Sequence, residues 1–224
     1  MKRKTATPHL ALIILGALLA AATTPRSSAA AEIEGVQFSD RQQSGETKLD
    51  LHCVGLLRYK LFIKAYVAAL YLGPGVSPED ALADVPKRLE LNYFWSINGP
   101  DFAKAGDHVL EQNVDSETLV RLRPRLDQIN ALYESVKPGD RYALTYVPGV
   151  GTELALNGHR KGIIPGADFA AAYFRIWLGE RPVDTALRDQ LLECSKTATD
   201  GGPPPAVASE LRPAREYSRS RLRS

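Results

Sequence analysis

Hydrophobic and polar residues alternate along several short segments of this chain, which is the pattern of β-strands with one buried face. In the first segment, Leu49, Leu51 and Cys53 alternate with polar neighbours. In the segment 63–72, IKAYVAALYL, both alternating faces are largely apolar, and a Gly-Pro-Gly turn follows it. The sequence therefore predicts a strand over 63–72 in the centre of a sheet that is covered on both sides.

Four more segments have the strand pattern, and they are 88–95, 142–146, 154–156 and 160–164. Asn157-Gly158 separates the last two and is a strong signal for a two-residue hairpin turn. Strands joined by short turns pair in opposite directions. The sequence thus predicts an antiparallel sheet.

In other segments, apolar residues recur every three or four positions, which indicates amphipathic helices. The predicted helices begin at Ser77, Asp101, Asp115 or Ser116, Ala167 and Asp184. The third is predicted to reach Val136, with Pro124 kinking or splitting it, and the last two extend to 178 and 193. The whole pattern predicts one α+β domain, an antiparallel sheet with helices packed on one face.

The N-terminal segment has the composition of a secretory signal peptide. Three basic residues at 2–4 precede the uncharged apolar run 10–22, and the small residues 28–31 follow. The run is too short to span a bilayer comfortably, so we expect 1–31 to be a cleaved signal, with an uncleaved anchor as the alternative. The mature protein is expected to be periplasmic or secreted, without a stable membrane span.

Charge divides the rest of the chain into an acidic domain and a basic tail. The full chain has 28 basic and 26 acidic residues. The segment 1–31 holds four bases and no acid, and 195–224 holds six bases and three acids. The intervening domain is therefore acidic, which does not favour nucleic-acid binding. We expect a loose lead-in over 32–47, the domain over 48–194, and a disordered basic tail over 195–224, which is rich in Pro, Gly, Ser and Arg.

Two cysteines, Cys53 and Cys194, are the only ones in the chain. An oxidising compartment permits a disulfide between them. A buried thiol and a separate loose one fit the sequence equally, because spacing along the chain does not show whether two Cα atoms come within reach. The four histidines are scattered and the cysteines lie far apart, so no metal site and no cofactor are expected.

Four blocks of sequence resemble one known family, in the family's order along the chain. They are FIKAYVAALYL (62–72), ADVPKRLELNYF (83–94), LYESVKPGDRYALTYVPGVGTELALNG (132–158) and IPGADFAAAYFRIWLGERPVDTALRDQLL (164–192). Over nearly all of 46–193 the chain resembles bacterial exported members of the chalcone isomerase-like family. The resemblance implies an open-faced sandwich, in which helices pack against a long antiparallel sheet with a ligand cleft between them.

The family contains two functional classes, and the resemblance implies candidate residues for each. Plant chalcone isomerases close a phenolic enone into a flavanone, using an Arg before the central strand and a Thr within it. Their fatty-acid-binding relatives hold a carboxylate with an Arg and a Tyr in this neighbourhood. Tyr66 stands at the Thr position, and Arg58 is the nearest candidate for the Arg. We therefore expect a non-catalytic protein that binds an apolar small molecule or fatty acid through Arg58 and Tyr66.

The alternative is an isomerase, an intramolecular lyase acting on a chalcone-like phenolic enone. Its ring closure needs a cation and hydrogen-bond donors near the developing negative charge. The helix 101–113 resembles the enzyme helix that supplies a Tyr, a Lys and an Asn, but has Phe102 at the Tyr position. A third interpretation is a structural or interaction protein, in which Tyr66 is a core residue and Arg58 a solvated charge. Residues that either line an apolar pocket or pack in the core are Tyr93, Trp95, Tyr173 and Trp177.

Overall fold

The computed structural model describes residues 29–60 and 62–194. The predicted signal peptide lies almost entirely outside the described residues, and the predicted disordered tail, 195–224, lies wholly outside them. Within the described residues, no helix is long and apolar enough to cross a membrane.

Nine strands run through the described residues. They are β1 Ala29–Ile33, β2 Val36–Ser39, β3 Arg41–Ser44, β4 Thr47–Tyr59, β5 Ile63–Leu72, β6 Lys87–Tyr93, β7 Arg141–Val147, β8 Gly151–Leu156 and β9 His159–Ile164. β3 to β9 form one antiparallel sheet in chain order, and β1 pairs with β2 in a separate hairpin. The predicted antiparallel sheet is therefore confirmed, including the hairpin of β8 and β9 at Asn157-Gly158.

The central strand β5 is buried on both faces, as its sequence predicts. On one face, Tyr66 and Leu70 pack into a core that includes side chains from the helices, and we call this side the helix face. On the other, Val67 and Tyr71 pack with Phe38 of β2, and we call this side the hairpin face. Covering both faces removes an almost wholly apolar strand from water.

The helices of the described chain contribute to the core on the helix face. They are α1 Gly99–Asn113, α2 Ser116–Asn130, α3 Ala167–Tyr173, α4 Arg175–Leu178 and α5 Thr185–Glu193. Two helices begin at residues that the sequence predicts, and both are capped there: the Asp115 carboxylate accepts from Thr118 N at 2.8 Å, and Asp184 accepts from Leu187 N at 2.7 Å. The curled antiparallel sheet with its helices confirms the predicted α+β class and chalcone isomerase-like architecture.

The boundaries of three predicted helices differ in the structure. The helix predicted after Ser77 is only a 3₁₀ turn at Pro78–Asp80. The helix predicted over 167–178 is divided into α3 and α4 at Phe174.

The helix predicted to reach Val136 ends at Asn130 instead, because Val136 bridges to Ile97 as an extended residue. Pro124 does not split this helix. Proline removes one helical hydrogen bond, to the carbonyl four residues earlier. Here that residue is Val120, whose side chain is 76% exposed, so water can reach the turn that loses the bond.

The loose lead-in predicted over 32–47 is wrong, because strands β1 to β3 include most of it. Phe38 is buried against the hairpin face, and the Arg141 guanidinium lies 4.6 Å from the centre of its ring. β3 extends the sheet beside β4, where the Arg41 guanidinium pairs with Asp50 at 2.7 Å. A few apolar residues among many polar ones were too weak a pattern to predict this.

The end of α5 is attached to β4 by a covalent bond and a hydrogen bond. Cys53 and Cys194 form a disulfide with their Cα atoms 5.3 Å apart, which decides the question that the sequence left open. The Gln190 side-chain oxygen accepts from the buried Leu56 N at 2.9 Å. Gly55 leaves room for this approach, because a Cβ there would lie 2.8 Å from a methyl carbon of Leu187.

Replacing both cysteines, Cys53→Ala with Cys194→Ala, should lower the free energy of unfolding by about 4–5 kcal/mol, because cross-linking a long loop restricts the unfolded chain. The bridged residues are 141 positions apart. Urea unfolding followed by circular dichroism measures the change. Wild-type protein with reductant should match the double variant, and equal midpoints for the oxidised and reduced wild type would contradict the expectation.

Candidate functional site

A cavity of about 50 Å³ lies on the helix face of the sheet, between β5 to β7 and the helices. Its walls are almost entirely apolar or aromatic. The lining residues are Tyr66, Leu91, Tyr93, Ile97, Phe102, Ala105, Gly106, Tyr133, Tyr142, Leu144, Tyr173, Ile176, Trp177 and Val183. None of these side chains carries a charge at neutral pH.

The aromatic rings of the cavity wall pack against one another. Phe102 of α1 stacks on Tyr133 with ring centres 5.0 Å apart. Tyr93 of β6 meets Tyr66 edge-on at 5.5 Å and Phe102 at 5.6 Å. Edge-on and offset rings attract one another. The wall near α1 is therefore a connected aromatic cluster.

Most tyrosine hydroxyls around the cavity have partners within the protein. The Tyr133 and Tyr173 hydroxyls lie 2.9 Å apart. The Tyr142 hydroxyl binds the backbone of Glu134, donating to its carbonyl oxygen at 3.0 Å and accepting from its N–H at 2.7 Å.

Several hydroxyls keep hydrogen-bonding capacity. The Tyr66 hydroxyl accepts from Trp177 Nε1 at 3.2 Å and still has its own proton to donate. The Tyr93 hydroxyl makes no hydrogen bond with any described residue. In the Tyr133–Tyr173 pair, one hydroxyl donates to the other, which keeps its own proton. Tyr66, Tyr93 and this pair are therefore the polar groups available to a molecule in the cavity.

These phenols are neutral over the physiological range. Burial raises the pKa of Tyr66 far above its ordinary value, and the bond from Trp177 only partly opposes this. Burial also raises the pKa of Tyr93, with Tyr66 adding to the shift. The cavity therefore offers hydrogen-bond donors without charge.

The structure does not bring the predicted pair, Arg58 and Tyr66, together. Tyr66 lines the cavity and is only 3% exposed. Arg58 does not line it; its guanidinium lies 3.5 Å from the Glu34 carboxylate, in the turn between β1 and β2. That turn belongs to the hairpin side of the sheet, so Arg58 is directed away from the ligand cavity. The pairing of the two strands also shifts here: Leu57 pairs with Tyr66 and Arg58 with Lys64, which leaves Ala65 of β5 as an extra residue.

Three of the four aromatic candidates, Tyr93, Tyr173 and Trp177, line the cavity. Trp95 does not: it is 37% exposed, and its Nε1 donates to the Lys64 carbonyl at 2.8 Å. Sequence reasoning missed Tyr133 as a lining residue, because its position in an apolar repeat looked identical to that of a core residue.

Two polar residues of α1, Lys104 and Asn113, do not face the cavity. The Lys104 side chain is 73% exposed, and it pairs with Asp101 at 3.9 Å. The Asn113 side chain binds the backbone of Val109 and Arg181. Neither therefore supplies a cation or donor to the cavity.

The buried Lys87 has a structural partner and does not face the cavity. Lys87 donates to the Ala83 carbonyl at 2.6 Å, and burial lowers its pKa to about 8. Among the described residues, the one cluster with metal-ligand spacing is His52 with Cys53 and Cys194. Its two cysteines are joined in the disulfide and do not offer thiolates.

Comparison with known proteins gives one family and one similar fold. A family model described as chalcone isomerase-like matches residues 30–193. The crystal structure of a fatty-acid binding protein from Arabidopsis thaliana is similar, with a TM-score of 0.56 and 17% sequence identity. The match covers 79% of this chain and 95% of that one, and at this identity it shows the fold alone. A comparison with curated proteins finds no match.

The free energy of unfolding should fall as the pH rises above about 10, since tyrosines in the unfolded chain ionise there. The folded state keeps those protons, because burial raises the pKa of Tyr71 and Tyr146 to about 12 and those of Tyr66 and Tyr93 higher still. Lys87 has the opposite effect. Its pKa is about 8 in the folded protein and 10.5 ordinarily, so its contribution to the free energy of unfolding should rise with pH between these two values.

Urea unfolding over an alkaline pH series checks both signs, with Lys87→Met as the variant that loses the rise. The phenolate absorbance of the buried tyrosines should appear together with the loss of near-ultraviolet circular dichroism. If phenolates form while the dichroism is intact, the assignment of these pKa shifts is wrong.

Proposed function

Because this chain belongs to the chalcone isomerase-like family, we propose that it binds an apolar, fatty-acid-like small molecule in the cavity and does not catalyse a reaction. The observation that carries the proposal is an apolar, aromatic cavity whose available polar atoms are neutral phenol hydroxyls. Ligand sites in proteins have this composition, with apolar walls and a few convergent polar groups. The fatty-acid binding protein of the same fold supports a binding role.

The polar end of the ligand is uncharged and accepts hydrogen bonds. Tyr93 has a hydroxyl without a described partner, and Tyr66 has a proton to donate. Burying an ionised carboxylate without a cation is costly, and no described lining residue is cationic. A carbonyl, an ester or a protonated carboxyl group therefore fits better than a carboxylate held by Arg58.

The cavity accommodates only part of a long ligand as it stands. A buried water needs about 10–15 Å³ on this scale, so the volume corresponds to roughly four waters. A long acyl chain must therefore displace part of the wall. Ala105 and Gly106 of α1 are the smallest lining residues, so that side of the wall has the least side-chain bulk for the ligand to displace.

Isomerase activity has less support. The ring closure develops negative charge, which a nearby cation and donors stabilise. The described cavity wall has no Arg or Lys, and Phe102 has no hydroxyl to donate. Neutral phenols without a nearby cation suit the binding of a carbonyl group better than this reaction.

We also propose that the protein works after export, in the periplasm or outside the cell. The disulfide between Cys53 and Cys194 supports this location, because such bonds persist in oxidising compartments. The basic, apolar and small-residue regions of 1–31 are the other support.

Tyr93→Phe should weaken binding of a medium-chain fatty acid methyl ester roughly 2- to 12-fold, because a neutral hydrogen bond contributes about 0.5–1.5 kcal/mol. It should leave the free energy of unfolding unchanged or slightly raised, since the hydroxyl has no described protein partner. Tyr142→Phe is the matched control. It should reduce stability by about 1 kcal/mol while affinity stays the same, because its hydroxyl is already bound to Glu134.

Isothermal calorimetry measures the affinities, and urea unfolding measures the stabilities. Equal affinities for the wild type and Tyr93→Phe would exclude Tyr93 as the anchor. Conversion of an added chalcone to a flavanone above background would overturn the non-catalytic assignment.

Gly106→Leu should reduce the affinity for the same ester roughly 5- to 150-fold, because its side chain extends into the cavity and overpacking costs about 1–3 kcal/mol. Gly106→Ala is the control: a Cβ there meets Ile176 Cδ1 at 3.5 Å, an ordinary contact. It should preserve binding and stabilise α1 by about 0.5–1 kcal/mol. Displacement of a fluorescent acyl probe measures the affinities of both variants. Tight binding by Gly106→Leu would place the ligand elsewhere.

A further inference from the structure

The turn between β4 and β5 presents an aromatic side chain to water. Phe62 is 87% exposed, the highest value among the large hydrophobic residues that the structure describes. Its backbone N–H donates to the Lys60 carbonyl at 2.7 Å, which helps to define the turn. The ring belongs to neither core cluster of the described residues, so it is free to contact a partner outside the chain.

A second aromatic residue lies at the same end of the sheet. Trp95 follows β6, and its Nε1 donates to the carbonyl of Lys64 in β5 at 2.8 Å. The indole is 37% exposed. An indole with a satisfied N–H and a partly exposed ring suits the boundary between water and an apolar phase.

Basic residues surround Phe62. Arg58, Lys60 and Lys64 are all exposed. Glu34 is their acidic neighbour, and it pairs with both Arg58 and Lys64. Three bases near one acid leave a positive surface beside the exposed ring, which would attract negatively charged head groups.

We propose that this hairpin tip, formed by Arg58, Lys60, Phe62 and Lys64 with Trp95, docks on an anionic lipid bilayer. Phe62 inserts into the boundary of the acyl chains, Trp95 lies at the head-group level, and the bases face anionic head groups. A lipid surface fits better than a protein partner, because these five residues are few beside the roughly 20–30 residues that each partner contributes to a stable protein interface.

Docking would place the cavity close to a source of apolar molecules. Tyr66 lies four residues along β5 from Phe62, or about 13 Å at the rise of a strand. The docking itself needs no ligand, so it goes beyond the proposed function and can be tested separately from it.

The test uses the purified full chain, without ligand, and vesicles of phosphatidylcholine with or without phosphatidylglycerol. Trp95 is the reporter, because the chain has two tryptophans and the other, Trp177, is buried. The Trp95 emission should shift to shorter wavelength on the anionic vesicles only, and brominated lipids should quench it. High salt should weaken the binding.

Phe62→Ser should weaken vesicle binding roughly tenfold or more, because it removes the inserted ring. Lys60→Gln should weaken it roughly fivefold. Val150→Ser is the matched control, since Val150 is a 59% exposed apolar residue in the β7–β8 turn, at the opposite end of the sheet. It should bind like the wild type.

Two outcomes would overturn the proposal. One is unchanged vesicle binding by Phe62→Ser, which would assign the binding to the basic segment 195–224 or to another surface. The other is a dimer seen by analytical ultracentrifugation that Phe62→Ser abolishes, which would assign the tip to contact between two copies. Calorimetry with the soluble ester is independent of both, so failure of docking leaves the ligand site untouched.

Discussion

The structure depends on covering both faces of β5. Residues 66–72 place buried side chains alternately on the two sides, so exposing either side would leave a wide apolar surface in water. The helices cover one side, and the β1–β2 hairpin with Phe38 covers the other. The N-terminal strands are therefore an integral part of the fold. β3 pairs with only the first part of β4. The disulfide and the Gln190 hydrogen bond hold α5 against the remaining part of β4.

The cavity follows from the same arrangement. β5 and β6 present Tyr66 and Tyr93 to the helix layer in direct register, and large rings on facing layers do not fill the space completely. Their phenol groups are buried with the rings, and burial keeps them protonated. The resulting chemistry is donation without charge. This is why the cavity suits the polar end of a neutral apolar molecule, while its described lining supplies no cation to a reaction that develops negative charge.

The cavity and the charged surface are separated where the pairing of β4 and β5 becomes irregular. Strict alternation would place Lys64 and Tyr66 on one face, but the extra residue Ala65 interrupts it. Arg58 and Lys64 share Glu34 at the hairpin side, while Tyr66 lines the cavity. Both functions proposed for this end of the sheet use that separation: the proposed ligand lies in the interior, and the bases stay in water near Phe62, where the proposed anionic surface would meet them.

The sequence by itself indicated the strands β4 to β9 and their antiparallel pairing, the starts of α2 and α5 and the two-sided burial of β5, because alternation, helix-start residues and Asn-Gly turns act through neighbours along the chain. It suggested Tyr66, Tyr93, Tyr173 and Trp177 as candidates for the site. Only the tertiary structure decided that β1 to β3 form from a polar segment, that Cys53 meets Cys194, and that Arg58 points away from Tyr66. These features depend on strand register and on contacts between distant segments, and no local pattern encodes them.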